Sequence, residues 1–117
     1  MAAFVNACAG QSTPFTGQVT SFDANGAYVD AVRLDWADTT AGEYGYEIQI
    51  ADNDCTQPFR HAAYIGPGLT TYLVRGLKEA SFYCFRMRAI RDGQFNNWTA
   101  PKLAITWTRN QIGRAHV

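Results

Sequence analysis

Histidine is nearly missing from this chain, and with it goes the commonest general acid, base and metal ligand. The two present are His61 and His116. His61 stands beside Arg60 on a predicted edge strand, faces solvent, and has no serine or cysteine placed to be activated. Acid pairs such as Asp35 with Glu47 fall on outward, solvated faces. No C-x-x-C spacing links Cys8, Cys55 and Cys84, which argues against zinc and for one disulfide plus a spare thiol. No apolar run approaches the roughly 18 residues that cross a bilayer. The sequence therefore predicts no enzyme, no catalytic residue, no metal, no cofactor and no membrane insertion by this fragment.

What is present describes a single folded module. The 117 residues are 47% apolar and 14% aromatic, enough for one core and too few for two domains. Charge sums to zero but is divided along the chain. Up to Asp54 eight acids face Arg33 alone; beyond it nine bases face Glu79 and Asp92. Acidic strands lying beside basic ones neutralise them, so nucleic acid is not an expected partner. Residues 1–14 read as a leader or linker. They lack a basic n-region and Asn6 interrupts the apolar stretch, although Ala7-Cys8-Ala9 has the small-residue form of a cleavage site.

Apolar residues recur with period two in short segments set between turn residues, and no stretch holds a helical period. The expected strands are Val19 to Asp23, ended by an Asn25-Gly26 turn; Ala31 to Ala37, with Val32, Leu34 and Trp36 inward; and Tyr44 to Asp52, with Tyr46, Ile48 and Ile50 inward. Phe59 to Ile65, Thr71 to Val74, Phe82 to Arg91 and Leu103 to Thr108 follow. In Phe82 to Arg91 the inward set is Tyr83, Phe85, Met87 and Ala89, leaving Cys84, Arg86 and Arg88 exposed. Seven short strands at this spacing predict an all-β, two-sheet immunoglobulin-like sandwich.

Five features together make the chain resemble a fibronectin type III domain from about Phe15 to Thr108: Trp36 in the second strand, Tyr46 in the third, Leu77 six residues before Tyr83, the Tyr83/Phe85/Met87/Ala89 alternation, and Trp98-Thr99-Ala100-Pro101 before the last strand. The resemblance implies fibronectin type III topology. It also implies structural roles for Trp36, Tyr46, Leu77, Tyr83 and Trp98, with the Tyr83 ring in the core and its hydroxyl bonded to backbone just upstream. In this fold the third and sixth strands are antiparallel neighbours. Setting Glu47 opposite Arg88 aligns Gln49 with Arg86 and Ala51 with Cys84, and brings Cys55 near Cys84. A Cys55 to Cys84 disulfide is one outcome; two reduced surface thiols are the other.

Gly93-Gln94-Phe95-Asn96-Asn97-Trp98-Thr99 has the spacing of the W-S-x-W-S box of cytokine-receptor domains, with Phe for the first tryptophan and Asn and Thr for the serines. In that family the rings interleave with arginines of the preceding strand, and Arg86 and Arg88 are available here. Asn97-Trp98-Thr99 is also a glycosylation sequon. Residues 109–117 form a tail, of which Ile112 to Val117 resembles the translation of a sequencing-library adapter.

The expected role is a non-catalytic spacer or protein/glycan-binding module of a larger extracellular or cell-surface protein, with further domains in the same chain. Contact is expected through the loop tips Asp38 to Glu43, Gly66 to Leu69 and Asp92 to Asn97, extended by Phe59 and Tyr64. The alternatives are a cytokine-receptor-like ligand-binding domain and an accessory module of a polysaccharide hydrolase.

Overall fold

The computed structural model describes residues 18–38, 45–91 and 94–109. Within them the elements are β1 (Val19–Tyr28), β2 (Ala31–Asp38), β3 (Gly45–Asp52), β4 (Arg60–Ile65), β5 (Thr71–Val74), β6 (Phe82–Arg91), β7 (Gln94–Phe95) and β8 (Lys102–Ile105). The leader, the adapter-like segment, most of the loop tip at 38–43 and the Asp92-Gly93 turn lie outside the described residues.

All pairing is antiparallel. One sheet has the order β1-β2-β5; the other has β4-β3-β6, with β7 and β8 both on the free side of β6. Alternation sends every second side chain into the space between the sheets. From the first sheet come Val19, Phe22, Ala24, Val32, Leu34, Trp36 and Val74. Tyr46, Ile48, Ile50, Tyr83, Phe85, Met87, Ala89 and Ala104 come from the second. Trp36 meets Tyr46 edge to face across this layer at 5.5 Å between centroids, and the Tyr46 hydroxyl donates to the Asp38 carboxylate.

Three departures from the sequence expectation have local causes. Asn25-Gly26 is not a turn: β1 runs through it to Tyr28, and the reversal falls at Val29 and Asp30. Gly26 instead serves a close approach, because a Cβ there would lie 2.1 Å from the Ile105 carbonyl oxygen. Next, β1 carries a bulge at Ser21, where φ is 53°. Between the Thr20–Ala37 and Asp23–Asp35 pairs β1 advances three residues while β2 advances two, so Val19 and Phe22 both point inward despite their odd spacing.

The third departure is the strand count, eight against seven. β7 and β8 are two pieces of one interrupted strand. Between the Ile90–Phe95 and Phe85–Lys102 pairs β6 advances five residues while its partner advances seven, so two residues bulge out around Trp98 to Pro101. Pro101 has no N–H to give the ladder. Thr99 bridges the gap: its N–H donates to the Met87 carbonyl at 2.9 Å and its hydroxyl accepts from Met87 N–H at 3.1 Å. The last strand also ends early, at Ile105: Thr106 N–H donates to the Ser81 carbonyl beside the start of β6, and Trp107 N–H donates to the Tyr28 carbonyl of the other sheet, each at 3.0 Å.

Candidate functional site

The crossing from β5 to β6 is fixed by a phenol. Gly76, at a φ of 78° that favours glycine, turns the chain after β5. Leu77 then donates its N–H to the Asp30 carbonyl and packs on the core. The buried Tyr83 ring places its hydroxyl 2.9 Å from Lys78 N–H, which donates to it. Thr106, also buried, closes the corner by donating its hydroxyl to the Lys78 carbonyl at 2.6 Å and accepting from Ser81 N–H at 3.0 Å.

The outer face of β3 and β6 is a stack of rings and guanidiniums. Arg86 lies between Phe59 and Trp98, 4.3 and 4.4 Å from their centroids; Arg88 lies between Trp98 and Phe95, at 4.1 and 3.8 Å. The order is thus Phe59, Arg86, Trp98, Arg88, Phe95. Each cation is also held from the neighbouring strand. Gln49 Oε1 accepts from Arg86 Nε and Nη2, and Glu47 Oε1 accepts from Arg88 Nε and Nη2 at 3.1 and 2.9 Å. Burial, then repulsion from Arg88, lowers the Arg86 guanidinium from its ordinary value, with Glu47 opposing.

Glu47 is the surprise of this face. It stands outward, yet it is only 5% exposed, covered by Arg88 on one carboxylate oxygen and by His61 Nδ1 at 3.1 Å on the other. His61 in turn leans on Tyr64, 4.2 Å between ring centroids, so it is not a bare edge residue. At the other end of the same row Cys84 is joined to Cys55, with Cα atoms 5.2 Å apart. Cys84 faces outward as alternation requires but is fully buried rather than exposed, since the cystine itself and the neighbouring strands cover it.

As chemistry this arrangement is committed. His61 is engaged by Glu47, both arginines are sandwiched, and among the described residues no three His, Cys, Asp or Glu side chains converge as a metal site would need. What the face provides is stiffness. Around it the exposed positions are Tyr64, Leu69 in the Gly66 to Leu69 loop tip, Phe95 and Asn97.

Solved structures of similar shape show what this architecture is. The structure described as FN3tt is 22% identical, with a TM-score of 0.64 over 79% of this chain and 97% of that one. An Fn3-like protein from Clostridium thermocellum is 15% identical, with a TM-score of 0.65 over 82% of this chain and 97% of its own. The fold is that of a fibronectin type III domain. Chicken CNTN1 FN1-FN3 domains match at a TM-score of 0.68 and 14% identity over 77% of this chain but 32% of theirs, so there the matching sandwich is one unit among several. No protein-family model matches the chain, and no curated protein matches it significantly.

Within this fibronectin type III fold the cystine joins β6 to the turn after β3, inside one sheet, unlike the inter-sheet bridge of antibody domains. No local pattern marks Phe59 as a ladder member, because it precedes its strand and meets Arg86 only through the fold. Nor does any mark Trp107, whose Nε1–H donates to the Gly26 carbonyl at 3.0 Å.

Proposed function

We propose that residues 15–108 are a non-catalytic fibronectin type III module of a larger secreted or cell-surface protein, acting as a spacer or as a protein- or glycan-contact surface. The observation that carries the reading is the commitment of the β3–β6 face. Its charged side chains are consumed in holding one another and the aromatic rings, leaving a rigid plate whose contact positions lie at loops and strand ends. The cystine supports an oxidising compartment, where such a bridge persists.

The test is a module purified alone and screened for capture of extracellular proteins and glycans alongside peptide and glycan hydrolysis. Binding without turnover, lost on altering loop or strand-end positions while the fold is kept, supports the reading. Turnover that persists after repurification from a second host overturns it.

A second reading has one observation in its favour. The ring–arginine order Phe59, Arg86, Trp98, Arg88, Phe95 is similar to the interleaving described for the W-S-x-W-S box of cytokine-receptor domains. The uninterrupted gene separates the possibilities: a membrane span beside this module favours a receptor, and a catalytic neighbour favours an accessory module of a hydrolase.

A further inference from the structure

At one end of the β1-β2-β5 sheet an open cleft of about 610 Å³ is lined by Asn25, Tyr28, Arg33, Thr71, Leu73 and Trp107, among others. Its volume lies within the roughly 300–1,000 Å³ of small-molecule sites. Tyr28 is half exposed and belongs to no part of the core. Its ring and that of Trp107 stand 6.0 Å apart at 49°, an open V and not a closed stack.

Trp107 is unusually well fixed for a residue beyond the last strand. Its N–H donates to the Tyr28 carbonyl, its Nε1–H to the Gly26 carbonyl, and its own carbonyl accepts from Ala80 N–H at 3.1 Å. Gly26 leaves room for this: a Cβ there would sit 3.2 Å from Trp107 Cδ1 as well as on the Ile105 carbonyl. The indole is thus set in place before any ligand arrives, so little ordering entropy is lost on binding.

The polar lining is also oriented. Arg33 Nε donates to Asp35 at 2.9 Å, which aims its terminal Nη donors, and among the described residues those have no protein partner. Asn25 Nδ2 donates to Asp23 at 3.3 Å, leaving its Oδ1 as an acceptor. Two planar polar groups and a threonine hydroxyl thus border two aromatic faces. A pyranose ring has the matching chemistry: an apolar C–H face for the rings and a rim of hydroxyls that both donate and accept. Charge narrows the class. Arg33 is offset by Asp35, and Asp23 adds a further carboxylate, so nothing here attracts a polyanion.

We propose that this cleft binds a neutral glycan, one pyranose ring lying against Tyr28 and Trp107 with its hydroxyls on Arg33, Asn25 and Thr71. The inference rests on the binding-module reading and supplies its ligand class and its place, a strand end and not the loop tips. The experiment is affinity electrophoresis of the whole chain in gels carrying hydroxyethylcellulose, laminarin, xylan or mannan. Titration with the corresponding hexaoligosaccharides, followed by tryptophan fluorescence, gives the affinity.

At least one polysaccharide is expected to retard the protein, with Tyr28→Ala and Arg33→Ala each weakening binding about tenfold, as loss of a central contact does. Phe82→Ala, an exposed aromatic on the other sheet, is expected to leave it unchanged. Both cleft side chains are exposed, so an unaltered thermal transition certifies the variants; should Tyr28→Ala unfold, Arg33→Ala carries the test alone. Absence of retardation by all four polymers, retardation that both cleft variants retain, or competition by heparin overturns the proposal and leaves the module reading standing. Hydrolysis of the polymers in the gel would instead overturn the module reading, so the two failures are distinguishable.

Discussion

The two sheets present opposite kinds of outer surface. On β3 and β6 a carboxylate is 5% exposed, two arginines are clasped between three rings, and a cystine closes the row. On β2 the corresponding outward pair, Arg33 and Asp35, retains 58% and 41% side-chain exposure. Both faces obey the same alternation. The difference is cover: β6 has the bulged segment around Trp98 lying over it, whereas among the described residues no such segment lies over Arg33 and Asp35 on β2. An outward face roofed by aromatic side chains becomes a second, polar core, in which ion pairs are partly desolvated and can no longer be exchanged for solvent at little cost. The open face keeps its ion pair in contact with solvent.

If the clasped face is a core in its own right, severing it should cost as much as a core defect. The largest effect is expected from removing the bridge. Replacing both Cys55 and Cys84 by serine releases a loop of 29 residues, for which chain entropy predicts a loss of about 3–4 kcal/mol. Urea unfolding of the double variant against wild type, both monitored by tryptophan fluorescence, measures it. A loss below about 1 kcal/mol would show that the face holds together without its covalent tie.

A matched pair of carboxylate deletions then compares the two faces directly. Glu47→Ala leaves Arg88 among rings without its acceptor and is expected to cost about 2–3 kcal/mol, below the figure for a fully buried pair because Arg88 retains 21% side-chain exposure. Asp35→Ala removes an equivalent carboxylate from the open face and is expected to cost less than about 0.5 kcal/mol. Equal losses at the two sites would break the comparison. The corner of the fold offers a third, smaller step. Tyr83→Phe keeps the ring in the core and deletes only the acceptor of Lys78 N–H, an expected loss of about 1 kcal/mol.

How far the sequence carries depends on how far apart the interacting residues lie. Alternation in Phe82 to Arg91 is a local property, and the register that sets Glu47 opposite Arg88 and Ala51 opposite Cys84 is the one observed. Alternation decides direction, though, and not exposure. Glu47 and Cys84 point outward and are nevertheless covered, because their roofs come from residues such as His61 and Cys55, on or near another strand. Asn25-Gly26 carries a strong hairpin signal, and tertiary structure overrides it: the glycine is needed where β1 grazes the Ile105 carbonyl. Pro101 has no N–H to keep β7 and β8 continuous, but the size of the bulge is set by the Thr99 to Met87 bonds, which no single segment encodes.

The smallest expected effect sits in the turn that delivers Cys55 to the clasped face. Asp54 Oδ1 accepts from the Thr56 hydroxyl at 2.6 Å and from Thr56 N–H at 2.8 Å. These bonds, the side-chain one foremost, lower its carboxyl below the ordinary value of 3.8. A folded-state value below the unfolded one means that the unfolded chain takes up its proton first as pH falls. The turn's contribution is therefore complete above 3.8 and disappears as pH drops through the folded-state value. In Asp54→Asn nothing titrates at this position. The thermal midpoint of wild type minus that of the variant should thus hold steady from about pH 7 to about pH 5 and shrink towards about pH 2. Full solvent exposure keeps the change slight. A difference that widens on acidification would mean that the carboxylate does not organise this turn and that the bridge alone positions it.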